Sequence, residues 1–133
     1  CDGIEDYIHL MGGIDVAILG LGMNGHIGMN EPGTRADSYS HIANIDETTQ
    51  VTGQKYFTAA TKLATGLTLG IGTLREAHQI MLLANGSKKA EIVLKVLDED
   101  ATNKIPATLI TDHENICVYI DKEAASLSLK KYE

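Results

Sequence analysis

The chain contains few cysteines, prolines and large aromatic residues, and it has no long apolar run. Its 133 residues include no Trp, one Phe, two Pro and two Cys, which are Cys1 and Cys117. The two cysteines fit no metal-ligand spacing, so we expect reduced thiols in a cytoplasmic protein. No apolar run approaches the ~20 residues that span a membrane, so no membrane contact is predicted.

Basic residues are also scarce. Eleven Lys and Arg stand against eighteen Asp and Glu, for a net charge of −7, which argues against a general nucleic-acid binder. A small anion could still be bound by local groups. The five histidines show no His-x-x-His or His-Glu-x-x-His spacing, and no metal site is predicted. There is no Gly-x-Ser-x-Gly elbow and no Walker phosphate loop.

Short apolar runs alternate with helical patterns along the whole chain. The predicted strands are Asp15–Leu21, His41–Ile45, Leu67–Ile71, Ile80–Ala84 and Ile116–Ile120. The predicted helices are Asp2–Met11, Asp46–Lys62, Leu74–Ala77, a helix after Lys89, Pro106–Ile110 and Lys122–Leu129. Alternating strands and helices predict a single α/β domain over residues 1–133, with a Rossmann-like, mainly parallel sheet and flanking helices.

Some patterns carry finer predictions. The first strand is apolar without alternation, which predicts burial on both of its faces. Thr73 and Asp121 are predicted to cap the helices that follow them. The helix after Lys89 has one predicted buried face, and its members are Ala90, Val93, Leu94 and Leu97.

A glycine-rich loop follows the first strand and is the strongest functional signal. The fourteen residues from Gly20 to Gly33 contain five glycines together with Asn24, His26, Asn30 and Glu31. Loops at the carboxyl ends of parallel strands hold the ligand sites of open α/β sheets. Histidine can both take and give a proton near neutral pH, and Glu31 could orient His26 and increase its basicity. The alternative is that these two residues only stabilise the loop.

Three other segments could bind an anion. The stretch Gly86-Ser-Lys-Lys89 opens a helix, where backbone N–H groups and two lysines favour negative charge, although both lysines could simply be solvated. Lys55 could reach an anion or could be an ordinary surface lysine. The turn from Gly70 to Thr73 could bring backbone amides to the same cleft or could only allow close packing of a strand against a helix.

The loop resembles a known active-site signature. The segment Gly22–Gly33, Gly-Met-Asn-Gly-His-Ile-Gly-Met-Asn-Glu-Pro-Gly, is similar to that of the glucosamine-6-phosphate deaminases and galactosamine-6-phosphate isomerases. The similarity continues in Leu67–Leu74, Gly86–Ala90 and Ile116–Asp121, in the same order. The related 6-phosphogluconolactonases share the Gly-His core but not the Asn-Glu-Pro-Gly that follows it.

The resemblance implies a reaction and a role for each matching residue. The family converts an amino-sugar 6-phosphate into a ketose 6-phosphate with release of ammonia, without a metal or an organic cofactor. His26 would assist ring opening by moving a proton to and from the ring oxygen, and Glu31 would hold His26 and adjust its basicity. Lys89 would bind the 6-phosphate of the substrate. Lys55 would do so too, at a position where the deaminases carry arginine.

Two departures from the family pattern qualify this expectation. The deaminases have Asp where this chain has Asn24, which cannot take a proton; the galactosamine-phosphate branch tolerates Asn there, which favours galactosamine 6-phosphate as substrate. Family members are also longer, with an N-terminal phosphate loop and an Asp that acts as base at C2. We therefore expect this chain to be the C-terminal half of such an enzyme, lacking the first strands of the sheet.

This expectation has consequences for the partners of the chain. It should belong to a longer protein or pair with another chain, either a missing N-terminal segment or a second copy, which would cover the apolar edge of its sheet. Alone it should bind a hexosamine 6-phosphate weakly and turn over little. The rival hypotheses are a lactonase and a module that senses sugar phosphates without converting them.

Overall fold

The computed structural model describes residues 2–45 and 47–131, so the prediction for Cys1 and the start of the predicted helix at Asp46 lie outside the described residues. The helices are α1 (Asp2–Leu10), α2 (Glu47–Gly53), α3 (Ile71–Arg75), α4 (Ala90–Asp98) and α5 (Ser126–Lys131). The strands are β1 (Val16–Gly20), β2 (His41–Asn44), β3 (Thr65–Thr68), β4 (Gln79–Ala84) and β5 (Ile116–Ile120). Three 3₁₀ helices lie at Gln54–Tyr56, Ser87–Lys89 and Pro106–Ile110.

The described strands form two separate sheets. The order in the main sheet is β1-β4-β5, and both of its strand pairs are parallel. The second sheet is an antiparallel pair of β2 and β3. The predicted α/β class with a mainly parallel sheet is confirmed.

The main sheet is covered on one face only. Leu19, Ile80 and Leu82 are at most 9% exposed and belong to the same core cluster as Val93 of α4. On the opposite face of β1, Ile18 is 66% exposed. The prediction that β1 is buried on both faces is therefore wrong. An apolar run shows that a strand suits burial, but it does not show whether a second layer is present to cover it.

Helix α1 buries a charged residue, and α4 buries only some of the side chains that were predicted. In α1 the buried residue is Glu5, whereas the apolar Ile4 and Met11 are 46% and 65% exposed. In α4, Val93 is buried as predicted, but Leu97 is 46% exposed. The buried face of α4 is rotated toward Ile92 and Val96, since those side chains point at the sheet.

The predicted helix that ends at Lys62 is too long. After α2 and the 3₁₀ turn, the backbone is already extended at Phe57. The side chain of Gln54 explains the change, because its amide bonds both the N–H and the carbonyl of Thr61, at 3.0 Å and 2.7 Å. These two bonds fold the chain back on itself where a longer helix would have continued.

The predicted cap at Thr73 is wrong, whereas Asp121 accepts the backbone hydrogen bond expected of a cap. α3 begins at Ile71, two residues before Thr73, which lies inside the helix and is 1% exposed. The strand before it ends at Thr68 rather than at Ile71. Asp121 accepts a hydrogen bond from the N–H of Ala124 at 2.8 Å, and so it closes the turn that precedes α5.

Candidate functional site

The glycine-rich loop is folded against the core at the carboxyl end of β1. Ile27 is fully buried and pairs through β-bridges with Leu21 and Asn30. The N–H of Leu21 donates to the carbonyl of Leu83 at 2.9 Å, which joins the start of the loop to the end of β4. The loop therefore stands at the edge of the parallel sheet where such folds place their ligand sites.

His26, Asn24 and Glu31 form a hydrogen-bonded chain. The amide nitrogen of Asn24 donates to Glu31 Oε2 at 2.8 Å, and Asn24 Oδ1 lies 2.6 Å from His26 Nδ1. A carboxylate can only accept, so the amide nitrogen must face Glu31 and the amide oxygen must face the imidazole. The proton of neutral His26 is thereby held on Nδ1, and Nε2 carries the lone pair.

Glu31 also acts on the imidazole directly. Its Oε2 lies 3.7 Å from His26 Nδ1, and the two side chains are only 12% and 20% exposed. The carboxylate thus lies beside the ring in partly buried surroundings, where water screens charges less than at the open surface. Asn24 therefore supplies the orienting hydrogen bond, while Glu31 supplies the charge.

Gly22 makes room for the imidazole and was not singled out by sequence reasoning. A Cβ atom at this position would lie 2.2 Å from His26 Nδ1, inside the van der Waals contact distance. The N–H of Gly22 also donates to the carbonyl of His26 at 2.8 Å. The ring consequently rests directly on the backbone of its own loop.

Lys89 stands beside the start of this loop. Its Nζ donates to the carbonyl of Leu21, which places the ammonium at the carboxyl ends of β1 and β4. Burial lowers the pKa of Lys89 below its ordinary value of 10.5, and the positive charge of Lys55 lowers the pKa further. The ammonium of Lys89 is therefore partly buried beside the histidine loop, and the positive charge of Lys55 acts on it.

Lys55 belongs to the segment that connects β2 to β3. It lies on the 3₁₀ turn Gln54–Tyr56 and is exposed, with its Nζ 5.0 Å from the centre of the Tyr56 ring. Lys88, which precedes Lys89 on the turn Ser87–Lys89, is exposed as well. The positive charge of Lys55 nonetheless acts on Lys89, because it lowers the pKa of Lys89.

Other polar residues hold the pieces of the site together. Asn30 is fully buried, and its amide donates to the carbonyl of Leu69 at 2.9 Å. The N–H of Met29 donates to Thr68 Oγ1 at 3.1 Å, which makes a second link from the loop to the end of β3. Asp121 accepts from the N–H of Gly86 at 3.0 Å and so fixes the turn before Lys89. Asp121 was predicted from the sequence as a helix cap, but its bond to Gly86 was not predicted.

Neither a metal site nor a membrane-spanning helix is found in the part of the chain that the structure describes. Within residues 2–45 and 47–131, no group of three or more His, Cys, Asp or Glu side chains is arranged to hold a metal ion. No helix in that part of the chain is long and apolar enough to cross a bilayer.

Comparison with known proteins identifies close relatives. The family model described as glucosamine-6-phosphate isomerases/6-phosphogluconolactonase matches residues 3–119. A glucosamine-6-phosphate deaminase from Thermoanaerobacter sp. (strain X514) is 39% identical over 128 residues, which are 96% of this chain and 51% of the relative. A glucosamine-6-phosphate deaminase from Shouchella clausii is also 39% identical, over 98% of this chain and 53% of the relative.

Solved structures agree with these matches. A monomeric glucosamine-6-phosphate deaminase superimposes with a TM-score of 0.90 at 38% identity, over 96% of this chain and 53% of that one. The 6-phosphogluconolactonase of Trypanosoma brucei gives a TM-score of 0.63 at 27% identity, over 84% of this chain and 41% of that one. The chain spans about half the length of the curated relatives it matches.

Proposed function

The chain belongs to the family of glucosamine-6-phosphate isomerases and 6-phosphogluconolactonases, and on that premise we propose that it forms the ring-opening and phosphate-binding part of an active site. The reaction is the isomerisation and deamination of a hexosamine 6-phosphate to a ketose 6-phosphate and ammonia. The observation that carries the proposal is the hydrogen bond from His26 Nδ1 to Asn24 Oδ1, because it fixes the lone pair on Nε2. The family predicted from the sequence is confirmed.

Ring opening needs a group that accepts one proton and returns it to another atom. His26 Nε2 takes the proton from the anomeric hydroxyl, the C1–O5 bond breaks as the C1 carbonyl forms, and the imidazolium gives the proton to O5. The positive charge that His26 carries between these two transfers is stabilised by Glu31, 3.7 Å away. Asn24 stays neutral throughout the reaction, since a side-chain amide neither takes nor gives a proton near neutral pH.

The 6-phosphate is held by the two lysines. A phosphate dianion between Lys89 and Lys55 would remove their mutual repulsion, which lowers the pKa of Lys89 in the free protein. Lys89 is the better placed of the two, because its ammonium is already fixed on the carbonyl of Leu21 beside the histidine loop. The exposed Lys55 adds a second charge from the segment that connects β2 to β3.

Isomerisation also requires a base at C2, and we assign no carboxylate of this chain to that role. The base would come from a segment matching the other half of the relatives, either in the same polypeptide or in a partner chain. Such a segment would also shelter the exposed face of β1. We also propose a cytoplasmic location, where cysteines are expected to stay reduced.

The test uses a composite enzyme, in which this chain replaces the matching half of the Thermoanaerobacter deaminase. Ammonia release is measured from galactosamine 6-phosphate and from glucosamine 6-phosphate. The composite enzyme is expected to release ammonia from at least one of them, and the preferred one identifies the epimer. The 133-residue chain alone is expected to release ammonia at least about 100-fold more slowly, because it lacks the base.

Each alternative gives a different result in the same assay. Hydrolysis of 6-phosphogluconolactone without release of ammonia would favour a lactonase. Tight binding of sugar phosphate with no turnover in the composite enzyme would favour a sensing module. Full deamination by the chain alone would show that the C2 base lies within these 133 residues.

A further inference from the structure

Lys55 is carried by a part of the fold that is separate from the main sheet. Residues 41–45 and 47–68, which we call the excursion, contain β2, α2 and β3, and its two strands pair only with each other among the described strands. The placement of Lys55 relative to Lys89 therefore depends on how the excursion is attached to the rest of the molecule.

Both ends of the excursion meet at the start of α3. The segment entering it packs on this helix end, where Ser38 Oγ accepts the N–H of Ile71 at 3.0 Å and the carbonyl of Ser38 accepts the N–H of Gly72 at 2.8 Å. The approach is so close that a Cβ at Gly70 would lie 2.1 Å from the carbonyl oxygen of Ser38. This junction is the root of the excursion.

A buried carboxylate spans the root. Glu5 of α1 is 9% exposed, and its Oε1 accepts the N–H of Ser40 at 2.6 Å and the hydroxyl of Thr73 at 2.7 Å. Ser40 is the last residue before β2, and Thr73 lies in α3, so one oxygen atom joins both sides of the junction to a third element. Its other oxygen, Oε2, is buried without a hydrogen-bond partner among the described residues.

Burial of a charged group carries a desolvation cost, which an apolar residue in the same place would not have. Burial by itself raises the pKa of Glu5, but the hydrogen bonds from Thr73 and Ser40 outweigh it and hold the pKa below its ordinary value of 4.5. The carboxylate is therefore ionised at neutral pH and makes the strong, charge-assisted kind of hydrogen bond.

We propose that Glu5 is a positioning residue, whose carboxylate fixes the root of the excursion and thereby sets the place of Lys55 for binding of the substrate phosphate. It does not touch the substrate, and it acts only through Ser40 and Thr73. The inference rests on the proposed phosphate role of Lys55, but its first consequence, a rigid root, can be measured without any ligand.

The first experiment measures amide hydrogen exchange in the 133-residue chain. Glu5→Leu is expected to speed exchange at the Ser40 amide by about 10- to 100-fold. Glu5→Gln should speed it by a smaller factor, because glutamine keeps an acceptor oxygen, although a weaker one than the carboxylate. Amides of β4 should keep their wild-type rates. The control is Asp6→Leu, which removes an exposed carboxylate from the same helix and should change neither rate.

Two results of this experiment would overturn the proposal. Unchanged exchange at Ser40 would show that the carboxylate does not hold the root. Equal acceleration at Ser40 and in β4 would show that Glu5 only stabilises the fold as a whole. If Glu5→Leu does not fold, the same comparison is made with Glu5→Gln.

The second experiment tests the link to Lys55 by titrating glucosamine 6-phosphate into Glu5→Gln, Lys55→Met and the double variant. Each single change is expected to weaken binding, and Glu5→Gln should add no further loss once Lys55 is absent. An equal loss in both backgrounds would refute the coupling to Lys55. If Lys55→Met alone leaves affinity unchanged, the proposed phosphate role of Lys55 fails and the coupling with it, while the exchange rates at Ser40 still decide whether Glu5 fixes the root.

Discussion

Replacement of His26 by glutamine is expected to reduce ammonia release by the composite enzyme by about 10²- to 10⁴-fold, the usual worth of general acid–base catalysis. Glutamine has nearly the same length and can hydrogen-bond to Asn24, but it cannot carry a proton from the anomeric hydroxyl to O5. Initial rates at saturating substrate measure the effect on turnover. The affinity for inorganic phosphate should stay within about twofold of wild type, since that site uses the lysines.

The matched control for this substitution is His78→Gln. His78 is exposed, so its replacement should leave the rate unchanged. Loss of the proton-transfer group should cost far more than tenfold. If the His26→Gln enzyme retains more than about a tenth of wild-type turnover, another group opens the ring. A parallel loss of phosphate affinity would instead point to a general disturbance of the loop.

Replacement of Lys89 by methionine is expected to weaken binding of glucosamine 6-phosphate by about 10- to 100-fold, which corresponds to one charge-assisted hydrogen bond of roughly 1.5–3 kcal/mol. Methionine keeps much of the length of the side chain and removes the charge. Calorimetric titration of the 133-residue chain gives the affinity directly. Lys88→Met is the control, because it removes an equal charge from an exposed neighbour on the same turn.

The pH dependence of binding gives an independent check on Lys89. Burial and the charge of Lys55 lower the pKa of Lys89, so its proton is lost at a pH below the ordinary 10.5. Affinity should consequently begin to fall before that pH is reached, and Lys55→Met should move the fall to higher pH, since one source of the lowered pKa is gone.

For the Lys89→Met titration, equal losses of affinity from Lys88→Met and Lys89→Met would contradict a specific phosphate contact and would leave only general electrostatic attraction.

The local features of the site could be predicted because they are encoded within short segments. The chain of Asn24, His26 and Glu31 lies within eight consecutive residues of one glycine-rich loop, so the loop itself brings these side chains together. The parallel strands were predictable for a similar reason, because short apolar runs between helical patterns are typical of buried strands in α/β folds. What the sequence did not predict is that Asn24, rather than Glu31, makes the hydrogen bond to the imidazole.

Features that depend on distant contacts were missed. The burial of Glu5 was not predicted, because it depends on Ser40 and Thr73, which lie 35 and 68 residues away in the sequence. The exposure of Ile18 was missed because an apolar run indicates that a strand is suited to burial, but it does not indicate whether other elements cover both faces of the strand. The start of α3 was misplaced since its first N–H is satisfied by Ser38, a partner from another segment, and not by a local cap.

The central claim is that the chain holds the group that opens the sugar ring, whereas the C2 base lies outside it. Such a half-site should interconvert the α and β anomers of a hexosamine 6-phosphate, because ring opening and closing need no base at C2. The measurement is anomer exchange of glucosamine 6-phosphate by NMR, in the presence of the 133-residue chain or its His26→Gln variant. We expect the wild-type chain to accelerate exchange without release of ammonia, and exchange no faster than with His26→Gln would contradict the account.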